Sequence, residues 1–204
     1  MTLALTGDTE ADKLLSSNPF ALLVGMALDQ QVPFERAFSA PKELRDRLGG
    51  SLDAKTVAGL PPDRLAAVFA EKPALHRFPS TMAARVHELA RVVVEDFGGD
   101  ASAVWKSAQT GDDLVSSLTR LPGFGKYKAK VFTALLGKRF DVRPPGWIEA
   151  SAPYGEPGIT MSVADIDSPE AHDAVRDHKR QMKAAAKSLA VLSGRPKAGR
   201  SKNR

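Results

Sequence analysis

The chain has 204 residues, 43% of them hydrophobic and 26% charged, so it can bury a core as one compact domain or two small lobes, which excludes a disordered chain. It has no cysteine, which excludes disulfides, thiolate zinc sites and cysteine-ligated iron–sulfur clusters. A formal net charge of +5 and a pI near 9.5 permit attraction to polyanions without requiring it.

The opening residues, MTLALTGDTEADK, lack a basic n-region and a sustained apolar h-region, and no later window approaches the ~20 apolar residues of a membrane span. The expectation is a soluble, cytoplasmic protein with no membrane contact. Asn18 followed by Pro19 reads as an N-cap with proline at the first helical position, and PFALLVGMALDQQ is apolar all round, the mark of a central core helix. Shorter amphipathic segments follow at PKELRDRLG and PPDRLAAVFAEK, each opened by proline.

In STMAARVHELARVVVEDFGGD, Met82, Val86, Leu89, Val93 and Phe97 recur at helical spacing, and Gly98-Gly99 close the helix. GDDLVSSLTRL carries acidic residues in its first turn and Leu114, Leu118 and Leu121 on one stripe, ending at Pro122. A further helix is predicted from about Gly125 to Leu136, stopped by Gly137. Residues 142–163 hold much proline and glycine and no period, so they read as a long loop. Ser168-Pro169-Glu170 then opens a last helix.

Strand patterns are absent apart from RVVVE, which sits inside a helical pattern. The predicted class is therefore all-α. Residues 1–193 read as one helical domain, with a hairpin over 114–137, the loop over 142–163 and the final helix over 168–193. Residues 194–204 read as a basic flexible tail, half basic and without an acid from Arg195 to Arg204, which would add phosphate attraction. The four histidines, His76, His87, His172 and His178, show no helical pairing with one another, so no metal is expected, and no other cofactor.

The stretch TRLPGFGKYKAKVF lies between two predicted helices. Gly123 and Gly125 permit torsions closed to other residues and let a ligand approach the main chain. The free amides at the start of the second helix suit a phosphate, aided by the helix dipole. Phe124 would pin the loop to the core, and Lys126, Lys128 and Lys130 add charge on its flanks. The plain alternative is a tight turn whose glycines serve only packing.

Two segments together resemble the HhH-GPD superfamily of base-excision DNA glycosylases over roughly residues 18–137. LPGFGKYKAK is similar to its helix-hairpin-helix motif, with Lys128-Ala129 where Thr-Ala is common. NPFALLVGMALDQQV is similar to its early core helix. The resemblance implies a two-lobed helical glycosylase-like fold, a monomer, and binding of double-stranded DNA, intact or damaged. It places Gln30, Gln31, Leu121, Gly123, Phe124, Gly125, Lys126, Tyr127 and Lys128 at the DNA, with Gln31 filling the gap left by an extruded base.

In that superfamily an aspartate about twenty residues past the hairpin stabilises the cationic sugar, and members that also cut the backbone carry a lysine two residues past the second hairpin glycine. Here the lysine position is Tyr127, so no lyase activity is expected. The aspartate position falls near Pro145 to Trp147, where no acid occurs. Asp141 and Glu149 are the nearest catalytic candidates in sequence. Trp147, which follows two prolines and a glycine in RPPGW, is expected to point into the cleft as a base-pocket residue. The implied function is a DNA-binding repair protein that probes damaged or distorted bases without assured excision. A monofunctional glycosylase with a relocated acid is the alternative, and a helical protein-interaction module is a third reading.

Overall fold

The computed structural model of the protein describes residues 3–192, and the basic tail lies outside the described residues. Within them the chain is all-α, with eleven α-helices, one short 3-10 turn over Val163–Asp165, and no strand. None of the described helices is long and apolar enough to cross a membrane.

α1 (Thr9–Ser17) starts at Asp8, whose carboxylate accepts the amides of Glu10 and Ala11, and α2 (Pro19–Leu28) starts at Asn18, whose side chain accepts the Ala21 amide. Every residue of α2 after Pro19 is buried, because the helix lies between α1, α3 (Phe34–Arg47) and α6 (Pro79–Phe97). α3 is longer than its sequence suggests: it begins after Pro33 and runs through Pro41, which was expected to open it. Burial of Phe34, Phe38 and Leu44 outweighs the one backbone bond that Pro41 cannot donate.

α4 (Ala54–Ala58) and α5 (Pro62–Ala70) pack on α6, which buries Met82, Val86, Leu89 and Val93 and stops at Gly98 in the left-handed region. α7 (Ala103–Lys106) leads to α8 (Gly111–Thr119), opened by a reciprocal Thr110–Asp113 capping box. α9 (Lys126–Arg139) is the second helix buried through its middle, from Val131 to Gly137.

Gly137 does not stop α9. The helix ends beyond it, where Asp141 adopts φ +57° and the Val142 amide returns to the Leu136 carbonyl at 3.2 Å. Gly137 instead admits the Trp147 indole, which any Cβ there would strike. The loop expected over 142–163 contains α10 (Trp147–Ser151), docked on α8 and α9 and tied by the Gly111 amide to the Pro145 carbonyl at 2.8 Å. Five residues are too few to print a period on the sequence. α11 (Pro169–Leu192) follows and brings His172 to Glu35 of α3 and Lys179 to Asp29 at the end of α2.

Candidate functional site

The C-terminal end of α2 is the hub of the site. Its last carbonyls are left over by the helix and carry the negative end of its dipole. Lys128 of α9 answers them, donating to the Met26 carbonyl at 2.7 Å and the Ala27 carbonyl at 2.9 Å. Lys128 was expected to add charge toward a phosphate; it is turned inward instead, and burial pushes its ammonium down to about 8. Lys130 is likewise taken up, by the Ala152 carbonyl at 3.1 Å. Lys126 is exposed.

Leu121 and Phe124 anchor the hairpin, both buried, with the Phe124 ring edge-on to Phe132 at 5.6 Å. The two glycines differ. Gly123 has φ +87°, and a Cβ there would stand 2.8 Å from the Arg85 side chain. Gly125 has an ordinary extended backbone, φ −79° and ψ 170°, and open space where a Cβ would be. Neither torsion nor internal packing asks for glycine at 125. No side chain caps α9, so the first amides of the helix face outward unpaired.

Gln30 and Gln31 follow α2 directly. The Gln30 side chain folds back onto the Ala27 carbonyl at 3.0 Å and the Met82 sulfur at 3.2 Å. Gln31 is exposed and held at φ +56°, an unfavourable torsion for a residue with a side chain. Next to them lies a feature that sequence reading missed, the segment from His76 to Phe78. The His76 ring is buried, its Nδ1 accepts the Phe78 amide at 3.0 Å, and its Nε2 therefore carries the proton donated to the Gln30 carbonyl at 3.0 Å. Burial holds its pKa below the ordinary histidine value.

Phe78 is 40% exposed, with the Arg77 guanidinium 5.2 Å from its ring. Arg85, draped over Gly123, enters no ion pair among the described residues. The only sequence signal for this segment was an aromatic and two basic residues, HRF, ahead of Pro79, with no period to mark them.

A cleft of about 1200 Å³ opens beside this hub. Asp29, Gln30, Gln31 and Tyr127 line it. Phe34 and Glu35 of α3 and Lys179 of α11 line it too, with the Lys179 ammonium 4.8 Å from the Phe34 ring centroid. Tyr127 is 56% exposed and meets the Tyr154 ring edge-on at 5.5 Å.

The sequence-nominated catalytic set does not converge here. Asp141 has an 85% exposed side chain, pairs with Arg143 at 3.3 Å, and serves as the stop of α9. Glu149 is exposed on α10. Neither lines the cleft. Trp147 does not point into it either: its indole lies on Gly137 and borders a separate hollow with Arg139 and Arg143. The prolines do direct the chain, but the missing side chain at Gly137 provides the better berth for the ring.

Comparison with family models, curated proteins and solved structures returned no match. The chemistry therefore has to be read from the site. Outward amides, a close-approach glycine and a nearby unpaired arginine suit a phosphate backbone. The exposed Gln31 and Phe78, on segments joined through the His76 ring, have the shapes that stack on or replace bases. The cleft offers carboxylates and an aromatic wall. No group of three or more His, Cys, Asp or Glu able to hold a metal occurs among the described residues.

Proposed function

We propose that the protein binds duplex DNA through the Leu121–Lys128 hairpin and probes distorted or damaged bases with Gln31, in the two-lobed arrangement of a helix-hairpin-helix glycosylase. The observation that carries this reading is the open space at Gly125 beside an uncapped helix start whose Tyr127 lines the same cleft as the strained, exposed Gln31. Backbone phosphates are then gripped by the α9 amides, with Lys126 and Arg85 adding charge. Such contacts position the protein without reading sequence. Gln31 enters the stack, and Phe78 is a second side chain available to wedge between bases.

This reading assigns no excision role to Asp141 or Glu149, both of which stand away from the cleft. The test is Gly125→Val. Its torsion and its surroundings accommodate valine, so the fold survives, while the added methyls obstruct phosphate approach. The expected result is about tenfold weaker binding to every duplex alike, with a shallower dependence on salt. Unaltered affinity in a folded variant would overturn the phosphate-grip reading.

A further inference from the structure

Two of the four carboxylates that line the cleft, Asp29 and Glu35, find their cationic partners on α11 alone among the described residues. Lys179 donates to Oδ2 of Asp29 at 3.2 Å, and Glu35 faces His172 at 3.6 Å and Arg176 at 3.9 Å. The other two are held without α11. Asp8 caps α1 with one oxygen and takes Lys42 on the other, and Glu43 is held by Arg36 and Arg47.

α11 is lightly attached compared with α2 and α9, which are buried nearly all round or through their middles. Among its described side chains only Val175 is buried. The helix packs on the 3-10 turn before it, and toward α2 and α3 it relies on the charge pairs and on Phe34, whose ring meets the His172 ring at 5.0 Å and the Lys179 ammonium at 4.8 Å. The paired side chains still touch solvent, from 16% exposed at Asp29 to 55% at Arg176. Ion pairs of this kind are weak and screened by salt. An element held mainly by them opens before the rest of the fold. What it brings to the cleft is charge: Arg176, Lys179 and Arg180 line it from α11, whereas Arg36 is the one lysine or arginine among the lining residues from the rest of the chain.

We infer that α11 is a displaceable strap that sets the charge of the cleft. Docked, it neutralises Asp29 and Glu35 and leaves the cleft open to a polyanion beside Gln31 and Tyr127. Released, it leaves those two carboxylates bare, and they repel phosphate. The inference rests on the DNA-binding reading above. Duplex binding and α11 docking then favour each other by the same factor, because each is stronger in the presence of the other.

The experiment uses the full chain and reads two quantities: hydrogen exchange of the backbone amides of residues 172–180, with and without a plain duplex, and duplex affinity. Val175→Ser removes the apolar anchor and leaves every charge in place. Its α11 amides should exchange about tenfold faster than the parent's while those of α2 and α9 do not change, and its duplex affinity should fall about fivefold. Adding Asp29→Asn and Glu35→Gln to Val175→Ser should return the affinity to within about twofold of the parent's with α11 still released. In the parent, saturating duplex should slow α11 exchange, and added salt without duplex should speed it selectively. The salt arm needs no variant to fold: α11 exchange indifferent to salt overturns the strap. So does affinity that stays low after both carboxylates are neutralised, or that is unchanged when α11 is released, and each of these leaves the DNA-binding reading standing. Absence of duplex binding in the parent overturns that reading and the charge role of α11 with it.

Discussion

The Lys128 ammonium lies 2.7 Å from the Met26 carbonyl, tying the first turn of α9 to the last turn of α2. This one contact fixes the hairpin relative to Gln30 and Gln31.

The latch has a pH signature. Burial lowers the Lys128 ammonium to about 8, against 10.5 in an unfolded chain. Between those values the unfolded state binds more protons, so stability rises as pH climbs through the window; below pH 8 the buried charge is carried at a constant cost. Chemical denaturation across the window should show the parent gaining up to about 3 kcal/mol over Lys128→Met, in which this titration is absent. Parallel pH profiles for the two proteins would show that the ammonium is not desolvated.

The left-handed backbone at Gln31 predicts a separation of stability from function. Gln31→Gly relieves the torsion and should raise stability by up to about 1 kcal/mol in a urea titration. The same change should lower the preference for a mismatched or damaged duplex over a plain one. Equal loss on both duplexes would make Gln31 a general contact and not a probe.

His76 should make the Gln30–Phe78 segment sensitive to acid. Its folded pKa is lowered from 6.5, chiefly by burial, so the stability it lends is present above that value and is lost as pH falls below it. Protonation also cancels the acceptor that holds the Phe78 amide. Melting temperatures compared at neutral and mildly acidic pH should fall further in the parent than in His76→Gln. The same acidification should weaken discrimination between distorted and plain duplexes in the parent more than in that variant.

Gly137→Ala should be costly although alanine is the better helix former. Its Cβ would collide with the Trp147 indole, and overpacking of this kind costs about 1–3 kcal/mol. Because the contact is remote from Gly125, the folded variant should bind duplex DNA as the parent does. A denaturation midpoint equal to the parent's would mean that α10 is free to move aside.

The sequence alone carried the elements whose signals are local. Asn18-Pro19 marked the start of α2 because a side-chain cap and a preset proline torsion act within one turn. The Met82, Val86, Leu89, Val93 stripe marked α6 because a helix with one buried face must repeat near 3.6 residues. Leu114 and Leu118 did the same for α8. These signals reveal that a face is buried without naming what covers it. Only the tertiary structure decided that Gly137 receives Trp147, that Pro41 lies inside α3, and that Lys128 turns from solvent toward Met26. It alone brought Lys179 to Asp29 across 150 residues of chain and removed Asp141 and Glu149 from the cleft. Each of these outcomes depends on a partner from another helix, and helical periodicity constrains the face of one helix at a time.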